Sequence, residues 1–518
     1  MSKALLKSGI LFSAMTFISR VLGLVRDVVI ANLLGASAAA DVFILTNKIP
    51  NFLRRLFAEG AFAQAFVPVL TEYKENKTID DTHLLIARVS GTLGCILMVT
   101  TLIGVIASPV VIMLFGTGWF IEWLQGGPAG DKYELASVML KITFPYLFFV
   151  ALTAFSGAVL NTWGKFGVAA FTPVVLNIAM ITAAIGFADS FAEPAFALAW
   201  GVFFGGLLQF LFQLPFLKQA GLIVWPKWGW KDPGVKKIRL LMLPALFGVS
   251  VSQINLLFDT VLASFLQNGS ISWLYYSDRL LEFPLGLFGI AIATVILPQL
   301  SKDHVKSSEA SFQQTMDWGI RMVCLLGVPS ALGLMALAEP MIMVLFMRGE
   351  FTAVDAAQSK LSLMAYSTGL LFFMLIKVLA SGFFARQDTK TPVKIGIQAM
   401  IANMVFNLLL IVPLAHAGLA LATSLSALFN ASFLYVNLKR LGVYQLSQKT
   451  KYLVIKIALA GVGMLALILV LAPSSAGWVA LSIEQRILHL TGLIAAGGFG
   501  YLILLFLLRV KVSELKAE

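Results

Sequence analysis

The chain has 518 residues, of which 59% are hydrophobic and 12% charged, with 42 glycines, 40 phenylalanines and a mean hydropathy of +0.89. Soluble domains carry about 25% charged residues, so a set of soluble domains is excluded; at roughly 20 apolar residues per crossing the apolar content suffices for more than a dozen transmembrane helices. The formal charge of +12 does not call for nucleic acid, because polytopic proteins collect lysine and arginine on cytoplasmic loops, and no nucleic-acid partner is expected.

In chain order, apolar stretches long enough to span lie at residues 8–32, 40–70, 86–115, 135–160, 167–187, 195–217, 240–266, 271–300, 311–338, 356–385, 392–413, 416–438, 452–472 and 486–508. They predict an all-α polytopic membrane protein with 14 transmembrane helices. The first stretch lacks a small-residue cleavage site and carries Arg20, Arg26 and Asp27, so it is expected to stay in the mature chain. An N-terminus in the cytoplasm puts 26 of the 38 lysines and arginines on cytoplasmic segments, and only Lys132, Arg348, Lys360 and Arg486 outside. That is the asymmetry of an N-in, C-in protein. Cys95 and Cys324 lie in apolar runs and the four histidines are scattered, so neither a disulfide nor a metal site is expected.

The chain looks duplicated. Phe66-Val67-Pro68-Val69-Leu70 resembles Ile296-Leu297-Pro298-Gln299-Leu300, Thr172-Pro173-Val174 resembles Thr391-Pro392-Val393, and Leu217-Lys218-Gln219-Ala220-Gly221 resembles Leu438-Lys439-Arg440-Leu441-Gly442. The order is the same in both copies, which predicts two pseudo-symmetric six-helix lobes, 1–220 and 221–442, with two further helices in 443–518. Two lobes with a site between them are the architecture of alternating-access transporters.

Arginine or lysine at the centre of a spanning helix costs about 2.5–3.5 kcal/mol on insertion scales, so such residues face a cavity or a partner. The spans contain Arg20, Arg26, Lys48, Arg54, Arg55, Lys141, Arg279 and Lys377, against the acids Asp27, Asp41, Glu59, Asp259, Asp278 and Glu282. One account is internal pairing that only fixes helix packing; Arg55 and Glu59, spaced i,i+4, fit it, as do Asp278 and Glu282 beside Arg279. The cations outnumber the acids, however, and most are arginines, whose planar fork binds phosphate oxygens bidentately and keeps its charge. A cavity gathering Arg20, Arg26, Arg54 and Arg279 would suit a diphosphate head group. Arg20 and Arg26 lie about 120° apart on an ideal helix, so a bend at Gly23 is expected to bring them together, and Pro50 and Pro284 are expected to break the helices beside their arginines.

A second polar set is Asp259, Asn403, Asn407 and Thr423. Its oxygens suit a hard cation such as Na⁺; the other reading is an interhelical hydrogen-bond cluster. Gly201 and Gly205 read as close helix packing, and Trp119, Trp123, Trp225, Trp228, Trp230 and Trp478 as interfacial belts. The segment Pro340–Glu350 reads as an amphipathic helix along the outer surface. The chain holds no nucleotide-binding loop and no nucleophile elbow, so neither ATP-driven pumping nor catalysis is expected, and no cofactor beyond Na⁺ or the membrane potential as a coupling source.

Several runs carry a resemblance over essentially the whole chain. Ser19-Arg20-Val21-Leu22-Gly23-Leu24-Val25-Arg26-Asp27, Asn51-Phe52-Leu53-Arg54-Arg55-Leu56-Phe57-Ala58-Glu59-Gly60-Ala61-Phe62, Tyr275-Tyr276-Ser277-Asp278-Arg279-Leu280-Leu281-Glu282-Phe283-Pro284 and Arg386-Gln387-Asp388-Thr389-Lys390-Thr391-Pro392 resemble the MurJ (MviN) family of lipid II flippases. The resemblance implies movement of lipid II, the undecaprenyl-diphosphate-linked disaccharide-pentapeptide, from the inner to the outer leaflet for peptidoglycan synthesis. It implies that Arg20, Arg26, Arg54 and Arg279 line the central cavity, that Asp41, Glu59 and Glu282 act as acidic gating partners, and that the last two helices form a groove for the polyprenyl tail; Asp27, Arg55, Asp278 and Lys377 are the further charge partners expected from the charges on the spans. Asp259, Asn403 and Thr423 fall where some members are similar to a sodium site, and Asn407 departs from that pattern, which has an acid there. Membrane lipids and cell-wall synthesis proteins are the further partners implied, with a monomer expected. The alternatives are an O-antigen, polysaccharide-lipid or multidrug exporter of the same superfamily, a membrane enzyme acting on polyprenyl substrates, and a scaffold for cell-wall assembly.

Overall fold

The computed structural model describes residues 3–55, 62–306 and 308–515. Every regular element among them is helical, and the chain divides into two compact units, Met1–Ile271 and Ser272–Glu518. The first holds α1 (Lys3–Leu34), α2 (Ala38–Arg54), α3 (Ala63–Asn76), α4 (Ile79–Ile106), α5 (Ser108–Phe115), α6 (Thr117–Gln125), α7 (Gly130–Thr143), α8 (Tyr146–Thr162), α9 (Phe166–Gly186), α10 (Ala195–Gln219) and α11 (Pro233–Ala263). α12 (Ser270–Pro284) leads into the second, followed by α13 (Ile290–Val305), α14 (Glu309–Ala336), α15 (Ala338–Phe346), α16 (Ala353–Phe384), α17 (Lys390–Arg440), α18 (Gln448–Leu471), α19 (Ser475–Ala480) and α20 (Ile483–Leu507). Ten helical stretches among the described residues are long and apolar enough to cross a membrane: α4, α7–α8, α9, α10, α12–α13, α14, α16, α17, α18 and α20.

Within hydrocarbon, no water replaces a lost backbone hydrogen bond, and the prolines show how the chain meets that demand. Pro50 does not break α2, contrary to expectation: the helix continues to Arg54. The carbonyl that Pro50 leaves without its i+4 donor, that of Thr46, accepts from Thr143 Oγ1 on α7 (3.3 Å). Pro329 inside α14 is served in the same way, its orphaned Leu325 carbonyl accepting from Tyr501 Oη on α20 (2.9 Å). Pro284, by contrast, closes α12 and is followed by a π-helical turn over Leu285–Gly289. The 51-residue α17 is two helices merged across Ala415, whose φ of 46° and ψ of −128° break the ladder after Pro413. The bonds Asn403 Nδ2 to Thr423 Oγ1 (3.4 Å) and Ser426 Oγ to the Ala399 carbonyl (2.7 Å) run in opposite senses along the two halves, so the halves form an antiparallel hairpin.

Small residues set the closest approaches, as expected where lipid supplies no hydrophobic drive. Gly201 and Gly205 lie against α9, where a Cβ would meet Ala183 Cβ at 2.8 Å and Leu176 Cδ1 at 2.6 Å, and a Cβ at Gly369 would meet Ser424 Cα at 2.7 Å. Two expectations are corrected. Trp119 and Trp478 are buried, not interfacial; Trp119 packs beside Lys132, and the Trp478 carbonyl accepts from Arg486 Nε (2.9 Å). The helix α15 within the segment 340–350 is buried rather than laid on the surface, Pro340, Ile342, Met343, Val344 and Phe346 all being covered.

Tyr501→Phe should lower the melting temperature, by about 0.5–1.5 kcal/mol of stability, because the Leu325 carbonyl loses its donor. In a Pro329→Ala background the same change should cost nearly nothing, since the backbone N–H of residue 329 then serves that carbonyl; thermal melts of the four proteins check the cycle.

Candidate functional site

The charges on the spanning helices are the site's raw material, and in the first unit Arg26 and Arg54 each donate to an asparagine. On α1, Arg26 donates from Nε and Nη2 to Asp27 Oδ1 (3.0 and 2.7 Å) and from Nη1 to Asn177 Oδ1 on α9 (3.0 Å). Asn177 Nδ2 returns to the Ser19 carbonyl (3.1 Å), so one amide reads two turns of α1. The Arg26 side chain keeps 15% of its surface exposed and Asp27 only 3%. α1 runs as one uninterrupted helix from Lys3 to Leu34 through Gly23, with Arg20 and Arg26 about 120° apart by ideal helix geometry. Arg20 is exposed, although it lies near the middle of that helix.

Asp41, in the first turn of α2, is buried with Lys132 of α7, their charged atoms 3.4 Å apart. The same carboxylate oxygen accepts from the Gly269 N–H (2.8 Å), just before α12, and the Lys132 ammonium lies 5.1 Å from the Trp119 ring centroid. This joins α2, α6, α7 and the α11–α12 connection by one buried pair. Arg54 Nε donates to Asn51 Oδ1 (3.2 Å) at the end of α2 and is half-buried, while Arg55 is exposed. Lys48 and Asp259 are half-buried. Glu59 falls outside the described residues.

In the second unit, Arg279 is held along its own helix. Its Nη1 donates to Glu282 Oε2 (3.0 Å) and its guanidinium carbon lies 4.8 Å from the Tyr275 ring centroid. Trp273 Nε1 to Asp355 Oδ1 (3.0 Å) and Ser277 Oγ to the Ser359 carbonyl (2.7 Å) fasten this helix to α16. Asp278 is half-buried, Lys377 exposed on α16. Asn403 and Asn407 are fully buried; Asn407 Nδ2 donates to Asn403 Oδ1 (2.8 Å) and Asn403 Nδ2 to Thr423 Oγ1 (3.4 Å). Among the described residues no cluster of three or more His, Cys, Asp or Glu suitable for a metal occurs. Outside the spans, the turn at Asp388 is fixed by its carboxylate: hydrogen bonds from Thr391, including its N–H at 3.0 Å, hold the carboxyl below its usual range.

The structure thus brings together Arg26 with Asp27, Arg279 with Glu282, and Asn403 with Asn407 and Thr423. It adds Asn177, Lys132, Tyr275 and Gly269, which sequence reasoning did not place at a site. The presence of Asn177 in an otherwise apolar stretch was the only available signal for the first.

Comparison with known proteins identifies the family. The family described as "Lipid II flippase MurJ" matches residues 30–488. A probable lipid II flippase MurJ of Vibrio cholerae is 63% identical over 516 residues, covering 100% of this chain and 98% of that protein. One from Haemophilus influenzae is 58% identical over 507 residues, covering 97% and 99%. A solved structure titled "Lipid II flippase MurJ, inward closed conformation" is 27% identical, covers 96% of this chain and 99% of its own, and has a TM-score of 0.80. An inward-facing multidrug transporter of the MATE family and MOP superfamily is 14% identical with a TM-score of 0.67, covering 85% and 99%; this is a likeness of fold.

Lys132→Met should cost about 3–5 kcal/mol, because Asp41 keeps its charge in a buried setting without its cation. Adding Asp41→Asn should recover more than half of that loss, as read by a double-mutant cycle on thermal or denaturant melts.

Proposed function

The chain belongs to the MurJ family of lipid II flippases, and we propose that it carries the diphosphate head group of lipid II on Arg20, Arg26, Arg54 and Arg279. It is a multi-pass membrane transporter for peptidoglycan synthesis rather than an enzyme. The observation that carries the residue assignment is the exposure of Arg20 near the middle of α1. A guanidinium does not face hydrocarbon at that depth, and an arginine facing a water-filled cavity meets anions. Arg26 and Arg279 stand beside carboxylates that hold them between transport cycles, Asp27 and Glu282. The head group's phosphates replace part of that pairing, and bidentate geometry gives the fork its advantage over a point charge. Asp41, Arg55, Glu59, Asp278 and Lys377 complete the set of charge and gating partners.

The same reading gives fourteen crossings, N-in and C-in, in the bacterial inner membrane. The hairpin break at Ala415 makes α17 two spans, and the charged helices α1, α2–α3 and α11 add three to the apolar set. The sequence duplication supports lobes 1–220 and 221–442, with 443–518 carrying the tail groove. The protein works as a monomer, with cell-wall synthesis proteins as neighbours. Alternating access moves the head group while the polyprenyl tail stays in lipid. For coupling, the internal bonding of Asn403, Asn407 and Thr423 favours a hydrogen-bond cluster over a Na⁺ site with Asp259, which leaves the membrane potential, at about 2.3 kcal/mol per charge per 100 mV.

In cells depleted of their own flippase and complemented with this chain, lipid II should become accessible at the outer leaflet. Arg26→Lys, normal in abundance and melting, should slow that exposure about 10–100-fold, the loss expected for a charge-assisted bond of about 1.5–3 kcal/mol; an unchanged rate would overturn bidentate recognition. Replacing Na⁺ with K⁺ should leave the rate unchanged, whereas collapsing the potential should reduce it.

A further inference from the structure

The first unit contains a cavity of about 520 Å³, inside the range of about 300–1,000 Å³ of small-ligand sites. α4, α8 and α10 form its walls and the extended segment 222–228 closes one end, with Gly94, Met98, Phe155, Phe210, Leu214 and Trp228 among the lining residues. The lining is almost wholly apolar, and the cavity reaches Met98 and Val99, which are 48% and 56% exposed on the outer face of α4. A ligand therefore enters sideways from the bilayer. Gly94 lies on the wall with open space where a Cβ would go.

The closing segment is fixed in place. Lys227 N–H donates to the Ala87 carbonyl (2.8 Å) and Gly229 N–H to Thr92 Oγ1 (3.0 Å). Gly91 allows the strap backbone at Lys227 to touch α4, and Arg88 pairs with Asp232. Trp225 and Trp228 are 87% and 61% exposed, and tryptophans are enriched at the head-group level. Between 218 and 239 the chain has Lys218, Lys227, Lys231, Lys236, Lys237 and Arg239 against the single acid Asp232. Lys218 follows the wall residue Leu217, and Lys227 stands between the wall residues Pro226 and Trp228.

We propose that this pocket binds one acyl chain of an anionic phospholipid, whose head-group phosphate rests on Lys218, Lys227 and Lys231. An apolar lining does not distinguish chains already dissolved in lipid, so selection falls to the charges at the mouth. The arginines there are engaged, Arg88 by Asp232 and Arg239 by stacking at 3.6 Å on Trp230 and bonding its carbonyl. That leaves exposed lysines, point charges suited to a phosphodiester rather than to bidentate diphosphate recognition. The site is separate from the substrate arginines and does not depend on their assignment.

The test is photo-crosslinking of the purified full chain with a phosphatidylglycerol bearing a diazirine in its acyl chain, mapped by peptide mass spectrometry. Crosslinks are expected to concentrate on residues 86–99 and 222–228, and to be competed about tenfold better by unlabelled phosphatidylglycerol than by phosphatidylcholine. Gly94→Trp, which fills the pocket, should remove them. In Lys218→Gln/Lys227→Gln/Lys231→Gln the preference between the two lipids should vanish. Crosslinks spread over the lipid-facing helices would overturn the pocket, and equal competition in the wild-type chain would overturn head-group recognition. Stronger competition by a polyprenyl diphosphate would assign the pocket to a prenyl tail instead.

Discussion

A polar group that cannot reach water must find its partner inside the protein, and most of the architecture follows from that. Buried threonines and serines, among them Thr46, Ser137 and Ser367, turn their hydroxyls back to carbonyls one turn earlier. Gln213 reaches Thr172 and Asn407 reaches Asn403 across or along helices. The prolines sharpen the point: each removes a backbone donor, and at Pro50 and Pro329 a hydroxyl from a different helix supplies the replacement. These bonds fix the rotation of one helix against the next, so the α2–α7 and α14–α20 contacts follow from where prolines fall.

The constraint that organises the interior makes the exceptions informative. Lys132 and Asp41 are both nearly covered and answer each other, with a backbone amide and an indole filling out the shell. Arg20, Arg279 and Lys377 stay open to some degree on helices that otherwise present Phe, Leu and Val. Coulomb attraction to a partner at low effective dielectric accounts for the first pair, and Arg279 has such a partner in Glu282 while staying partly open.

Charge in an apolar background is conspicuous in a sequence, and for that reason the arginines, their acids and the apolar spans were legible. What they touch was less so. Asn177 anchors Arg26 from 151 positions away, and no local pattern links them. The strap over α4 reads as a basic loop, because its ordering rests on Gly91 and Gly229, which act through lacking a side chain. Tryptophan marks membrane interfaces on average, yet Trp119 and Trp478 are buried and serve as partners for Lys132 and Arg486. Pro50 was expected to break its helix because the rescue comes from Thr143, on a helix nearly a hundred residues later.

The carboxylates beside Arg26 and Arg279 bear on how a carrier can release what it binds. A bare guanidinium in a dry cavity would hold a diphosphate too tightly and would itself be costly to keep when empty. With Asp27 and Glu282 at 2.7 and 3.0 Å, both guanidiniums are already compensated, so on the proposed assignment a head group would enter by exchanging one anion for another. The net affinity is then the difference between two similar interactions, small enough to be reversed by a modest change in geometry between inward and outward states, since a ligand shifts an equilibrium only by its differential affinity for the two. Arg26 is pinned to α9 through Asn177, and Arg279 is bonded to Glu282 and stacked on Tyr275 along α12.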